Sequence, residues 1–86
     1  MKKIIMLKGD YCPYCQRAFR YMNELYEEHP EYKELDVEMI DEVTQEELSN
    51  QYDYEVVPTY LIDGQIVFAG IPTKDEIERV FKKAME

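Results

Sequence analysis

Two cysteines, Cys12 and Cys15, are the residues whose type and spacing most directly indicate chemistry. They are the only cysteines among 86 residues, and Pro13 and Tyr14 separate them. A Cys-x-x-Cys pair where a strand runs into a helix is typical of a redox dithiol, which cycles between two thiols and one disulfide. A structural zinc site needs four ligands, whereas this chain adds only one distant histidine, His29. We therefore predict a redox dithiol and no metal; a metal-binding module and an inert pair are the alternatives.

The position of the pair relative to the predicted first helix gives the two sulfurs different roles. Pro13 suits the first helical position, where no N–H is needed, so Cys12 precedes the helix and Cys15 lies in its first turn. Unpaired N–H groups and the helix dipole stabilise a thiolate at this end. Cys15 shares an apolar stripe with Ala18 and Phe19, and we expect it to be shielded. Cys12 is therefore predicted to attack a substrate disulfide, and Cys15 to resolve the mixed disulfide.

Hydrophobic periodicity along the chain predicts four strands and three helices in the order β-α-β-α-β-β-α. The strands are expected at residues 3–7, 35–40, 60–62 and 66–68, and the helices at about 13–28, 44–51 and 73–85. A parallel βαβ unit joined to a hairpin, with helices covering a four-stranded mixed sheet, is the most economical α/β arrangement of these elements. We expect this sheet to position the cysteine pair at the end of the first strand.

Local signals refine this layout. Asp63-Gly64 predicts a tight hairpin turn between the last two strands. Thr44 and Thr73 each begin a sequence typical of a capping box, and are predicted to cap the second and third helices. Alternation in the second strand predicts three side chains on its buried face, namely Leu35, Val37 and Met39.

Composition and charge restrict the classes of function. The chain is 45% hydrophobic and 34% charged, which is typical of a folded globular chain, and we predict one monomeric domain over residues 1–86. A net charge of −9 makes nucleic acid a poor partner. The apolar runs are far shorter than the roughly 20 residues of a membrane span, and no signal-peptide pattern opens the chain. We therefore expect no membrane association and a cytoplasmic location.

Two motifs together resemble one superfamily. Asp10-Tyr11-Cys12-Pro13-Tyr14-Cys15 resembles the active site of glutaredoxins, in which Cys-Pro-Tyr-Cys is the usual form. Val57-Pro58-Thr59, before a predicted strand, resembles the second signature shared by thioredoxins and glutaredoxins, a residue followed by a cis-proline. The order of elements is similar to the minimal thioredoxin fold over nearly the whole chain. The resemblance implies a thioredoxin-like fold and a thiol–disulfide oxidoreductase; a thioredoxin-fold adaptor without turnover is a further alternative.

The resemblance also implies which residues bind substrate. Pro58 would be cis and lie near the cysteines, and the Val57 backbone would pair with an incoming peptide or glutathione as an added strand. The side chains beside the nucleophile, Tyr11, Pro13 and Tyr14, would line a peptide groove.

Lys8 is a further binding candidate, because glutaredoxins tend to carry a basic residue just upstream of the first cysteine, where it can meet a glutathione carboxylate. Lys8 lies four residues before Cys12, within a segment, residues 1–23, that has five basic residues against one acid.

The segment before the last helix bears on the electron donor. Glutaredoxins usually bind the γ-glutamyl end of glutathione with Gly-Gly, a small polar residue and acids; here only Gly70 and the helix start at Thr73 correspond. Residues 70–74 are more similar to those of the small, glutaredoxin-sized thioredoxins of archaea and anaerobic bacteria. Glutathione and a flavoprotein disulfide reductase therefore both remain possible donors, and the Cys-Pro-Tyr-Cys form slightly favours glutathione. The expected substrates are disulfide-containing proteins or glutathione mixed disulfides, and no bound cofactor is predicted.

Overall fold

The computed structural model describes residues 1–86 and has the predicted order of elements, β-α-β-α-β-β-α. The strands are β1 (Ile4–Lys8), β2 (Val37–Asp41), β3 (Thr59–Ile62) and β4 (Gln65–Ala69). The helices are α1 (Pro13–Glu28), α2 (Glu46–Ser49) and α3 (Lys74–Met85). A short 3₁₀ helix, Pro30–Glu34, connects α1 to β2 and was not predicted. No helix is long and apolar enough to cross a bilayer.

The four strands form one mixed sheet in the order β2-β1-β3-β4. β1 is parallel to β2 and antiparallel to β3, and β3 and β4 form the hairpin. Leu7 near the end of β1 is paired with Ile40 near the end of β2 and with Thr59 at the start of β3. The segment from β1 to α1 and the segment before β3 therefore meet at one edge of the sheet, which brings the two cysteines and Val57 together.

Side chains cover both faces of the sheet. On one face α1 and α3 contribute to a core of 13 buried residues, in which Tyr60 and Phe81 are the largest fully buried side chains. Tyr26 stacks on Phe81 with ring centroids 5.5 Å apart. On the other face Leu7, Ile40 and Leu61 are buried beneath residues from the segment 52–57. Because the segment 52–57 covers this second face, even so short a chain buries both sides of β1 and β3.

The predicted burial of β2 is wrong at one position. Met39 is 41% exposed, whereas Ile40, predicted on the opposite face, is buried. β2 is an edge strand, so α1 does not reach over Met39, which borders an open groove with Phe19 and Met22. Ile40 faces the segment 52–57 and is covered by it. Alternation alone cannot show which face of an edge strand is covered.

The two predicted helix caps have different outcomes. Thr73 caps α3 as expected, since its Oγ1 accepts a hydrogen bond from the Glu76 N–H at 3.2 Å. The predicted cap of α2 is wrong: the residue before α2 is Gln45, and no side chain caps this helix. Thr44 instead lies in a turn, where its N–H donates to Asp41 Oδ1 at 3.0 Å. A local turn around an aspartate has displaced the capping box.

Candidate active site

The cysteine pair lies where β1 turns into α1. Cys12 is the residue before the helix and has extended backbone angles, φ −88° and ψ 121°. Its N–H donates to the Gly9 carbonyl at 3.0 Å, and its carbonyl accepts the first helical hydrogen bond from Gln16 at 3.1 Å. Pro13 begins the helix, as predicted, and Cys15 lies in the first turn. The turn therefore places Cys12 at the N-terminus of α1, where its side chain makes no capping hydrogen bond.

The two sulfurs differ in environment. Both are free thiols; Cys12 is partly exposed, whereas Cys15 is completely buried. The Cys15 sulfur accepts a hydrogen bond from the Gly9 N–H at 3.4 Å. Burial raises the pKa of Cys15 to about 11, because a thiolate is poorly solvated there, and this outweighs the stabilising Gly9 contact. Cys15 is thus a protonated, shielded thiol at neutral pH.

Val57 and Pro58 lie next to the pair. The Val57–Pro58 peptide bond is cis, which confirms the prediction. The Cys12 thiol donates to the Val57 carbonyl at a sulfur–oxygen distance of 3.7 Å. No backbone hydrogen bond within the chain uses either Val57 group. Pro58 is buried, and its carbonyl accepts from the Gly70 N–H at 3.2 Å. The Val57 N–H and C=O therefore have no backbone partner and lie directly beside the partly exposed Cys12 thiol.

A groove of about 320 Å³ runs along this backbone. Its lining comprises Tyr11, Tyr14, Glu42, Glu55, Val56, Val57, Gly70 and Ile71. Four of these were predicted, and four were missed: Glu42, Glu55, Val56 and Ile71. Glu42 follows the end of β2, and because β2 is parallel to β1 its end leads to the same edge as Cys12; that signal was present in the predicted topology. No local sequence signal indicated Ile71, which is 59% exposed in the structure.

Glu42 is held at the groove by two tyrosines. Its carboxylate accepts hydrogen bonds from the Tyr11 hydroxyl and, at 3.0 Å, from the Tyr54 hydroxyl. The bond to Glu42 raises the pKa of Tyr11 to about 12, since a neutral hydroxyl is the better donor beside a carboxylate. The Glu42 N–H also donates to the Lys8 carbonyl at 2.9 Å. These contacts join the end of β2 to the Tyr11 side of the dithiol.

Asp41, the preceding residue, fixes the turn that carries Glu42. Its Oδ1 accepts from the Val43 N–H at 2.8 Å and from the Thr44 N–H at 3.0 Å, and its Oδ2 lies 3.2 Å from Lys8 Nζ. The N–H groups of Thr44 and Val43 and the Lys8 charge hold the pKa of Asp41 at about 2. Asp41 is buried and structural, whereas Glu42 faces the groove.

The structure does not bring every predicted binding residue to the groove. Lys8 Nζ is paired with Asp10 at 2.8 Å and with Asp41 at 3.2 Å, and its side chain is only 16% exposed. It borders the other groove, with Phe19 and Met39, rather than the one beside Cys12. The Thr73 hydroxyl is used in capping α3. Pro13 is exposed on the first turn of α1, outside the groove lining.

No three His, Cys, Asp or Glu side chains come together as a metal site.

Comparison with known proteins shows the family of this chain. A model of the thioredoxin domain matches residues 1–82. The chain belongs to the thioredoxin family. A protein named Thioredoxin from Methanocaldococcus jannaschii is 31% identical over 83 residues, which cover 96% of this chain and 95% of that relative. A Probable Thioredoxin from Methanothermobacter thermautotrophicus is 32% identical over 75 residues, covering 87% and 86% of the two chains.

Solved structures agree on the thioredoxin fold. A mutant thioredoxin from Halobacterium salinarum superposes with a TM-score of 0.71 at 21% identity, covering 99% of this chain and 75% of that one. A structure described as a malarial protein gives a TM-score of 0.74 at 13% identity and covers 100% and 99%. At these identities the likeness shows the fold alone, and it confirms the predicted thioredoxin-like α/β architecture.

Family membership confirms the predicted enzyme class, a thiol–disulfide oxidoreductase of the thioredoxin type. The relatives are named thioredoxin. The narrower prediction of a glutaredoxin is therefore unconfirmed, and the names favour the small-thioredoxin alternative.

Proposed function

We propose that this protein is a small thioredoxin that reduces disulfide bonds in other proteins, with Cys12 as the attacking residue and Cys15 as the resolving residue. The observation that carries the proposal is the contrast between the two sulfurs. Cys12 is accessible at a helix start and donates to the Val57 carbonyl, whereas Cys15 is buried and its pKa is raised to about 11. An accessible attacking thiol and a shielded resolving thiol are what two-step exchange requires.

The proposed reaction has two exchange steps. The Cys12 thiolate attacks one sulfur of the substrate disulfide; that S–S bond breaks, a Cys12–substrate disulfide forms, and the departing sulfur takes a proton. Cys15 then loses its proton and attacks the Cys12 sulfur, which releases the second substrate thiol and leaves a Cys12–Cys15 disulfide. The substrate gains two electrons and two protons, and an external reductant must return two electrons to the protein.

The substrate is proposed to bind as an extended segment along Val57. The N–H and C=O of Val57 have no backbone partner within the chain and can add a strand of substrate by backbone hydrogen bonds. The exposed rings of Tyr11 and Tyr14 form one wall of the groove, and Gly70 lies on its lining without a side chain. Buried Pro58 holds this backbone against the sheet, and Pro13 holds Cys12 at the helix start.

A flavoprotein disulfide reductase is the proposed electron donor. The names of the relatives support this choice over glutathione. So do three features of the site: Lys8 is engaged by two aspartates, the Thr73 hydroxyl caps α3, and the groove carries two carboxylates. Glutathione remains the second candidate because of the Cys-Pro-Tyr-Cys sequence. We propose that the protein acts as a monomer in the cytoplasm, because thiols are kept reduced there.

The reductant can be identified with oxidised protein. We expect NADPH with a thioredoxin reductase to restore both thiols and sustain reduction of a protein disulfide, and glutathione with glutathione reductase to do so much more slowly. Faster turnover with glutathione would overturn the choice of donor.

The roles of the cysteines are tested separately, without any reductase. Cys15→Ser should accumulate a mixed disulfide with substrate, and Cys12→Ser should not react. Rapid reduction of a protein disulfide by Cys12→Ser would contradict the mechanism.

A further inference from the structure

The groove beside Cys12 has an unbalanced charge. Its lining includes two carboxylates, Glu42 and Glu55, and no basic side chain; the remaining lining is apolar, aromatic or glycine. Arg17, on α1, lies outside the lining and places its guanidinium carbon 5.6 Å from the centroid of the Tyr14 ring. Lys8, the basic residue closest to the cysteines in the preceding strand, is paired with Asp10 and Asp41 instead. The groove therefore presents negative charge along an apolar wall.

Neither groove carboxylate is neutralised by an ion pair, in contrast to Asp41. Glu42 accepts hydrogen bonds from the Tyr11 and Tyr54 hydroxyls, which fix its position and leave its charge in place. Glu55 is exposed and makes no side-chain hydrogen bond or ion pair within the chain. Both are thus available to a cationic group on a bound substrate.

We infer that this groove selects substrate segments that carry lysine or arginine beside the disulfide cysteine, with Glu42 and Glu55 as the residues that determine the specificity. The inference rests on the proposed function, because it assumes a substrate strand seated along Val57. A cationic side chain on such a strand can form charge-assisted hydrogen bonds with these carboxylates. An acidic segment, or the two carboxylates of glutathione, meets repulsion at the same place.

The size of the preference follows from the exposure of the groove. Pairs of charges at exposed sites contribute little, so a difference of about three- to tenfold in reaction rate is expected between basic and acidic substrates at low salt. Screening by salt should reduce this difference in rate at high ionic strength.

The test uses single-turnover reduction by the full-length reduced protein, so that no electron donor is needed. The substrates are three synthetic peptides with one cysteine in the same mixed disulfide with thionitrobenzoate, flanked by lysine, glutamine or glutamate. We expect the lysine peptide to react about three to ten times faster than the glutamate peptide at low salt. Glu42→Gln with Glu55→Gln should bring this ratio close to one. Glu55→Lys, at an exposed site where folding is not at risk, should lower the ratio by itself.

Glu47→Lys is the matched control, because Glu47 is an exposed carboxylate on α2 outside the groove. It changes the net charge by the same amount as Glu55→Lys or the double variant and should leave the ratio unaltered. A ratio near one in the wild-type protein would overturn the inference, as would a ratio that Glu55→Lys and the double variant leave unchanged. These results differ from failure of the proposed function, in which no peptide reacts with Cys12 at all.

Discussion

The backbone N–H of Gly9 donates a hydrogen bond to the Cys15 sulfur at 3.4 Å. The carbonyl of the same residue accepts from the Cys12 N–H at 3.0 Å. One glycine at the end of β1 therefore holds both members of the dithiol through its backbone. The Tyr11 ring lies so close to Gly9 that an added Cβ would overlap it. The position of Tyr11 on the groove thus depends on the absence of a side chain at residue 9.

Gly9→Ala should displace the Tyr11 ring and break its hydrogen bond to Glu42. Tyr11 is 67% exposed and can move outward, so we expect the free energy of unfolding to change by less than about 1 kcal/mol. The rate with peptide disulfides should fall, because one wall of the groove is lost. Tyr11→Ala alone and combined with Gly9→Ala completes a double-mutant cycle, in which the rate effects should not add. Additive effects would show that Gly9 acts independently of Tyr11.

Alkylation of the reduced protein should distinguish the two thiols. At neutral pH we expect iodoacetamide to modify Cys12 at least about tenfold faster than Cys15, since Cys15 is buried and its pKa is about 11. In Cys12→Ser, modification of Cys15 should accelerate as the pH rises towards 11. Peptide mapping by mass spectrometry measures both rates. Equal rates, or a faster Cys15, would contradict the assignment of roles.

Asp41→Asn should change the acid sensitivity of the fold. The pKa of Asp41 is about 2 in the folded protein, against an ordinary value of 3.8, so its carboxylate stabilises the fold above about pH 4. This contribution is lost as the pH falls through about 2. The variant should be less stable than wild type at pH 7, and the gap should narrow from about pH 4 to about pH 2. Thermal unfolding across this range measures it, with Glu47→Gln as the control. A constant gap would rule out the proposed linkage.

Thr73→Ala should lower the free energy of unfolding by roughly 0.5–2 kcal/mol, because the Glu76 N–H loses the Oγ1 that caps α3. Thr73→Ser keeps the hydroxyl and should restore most of the stability. Denaturant unfolding at equilibrium compares the two. If Thr73→Ala were as stable as wild type, the cap would have no energetic role.

Much of this site could be predicted because its signals are local. Pro13 after a cysteine marks the helix start, and the spacing of Cys15 with Ala18 places it on the buried stripe. Capping by Thr73 is likewise a matter of neighbouring residues. The two wrong predictions have different causes: at Thr44 a local turn around Asp41 replaced the predicted cap, and at Met39 the uneven cover of an edge strand left the side chain exposed.

The sequence by itself therefore determined the elements that carry the cysteine pair and its position at the start of α1. Only the tertiary structure decided which charges line the groove. Lys8 is next to the site in sequence, yet Asp41, 33 residues away, pairs with it and keeps it out of the groove. Glu42 and Glu55 are distant in sequence from Cys12, yet they line the same groove as its neighbour Tyr11. The physical reason is that ion pairs and the lining of a groove depend on which strand ends the sheet brings together. Hydrophobic periodicity along one segment carries no information about the charges of the segments that pack beside it in the fold.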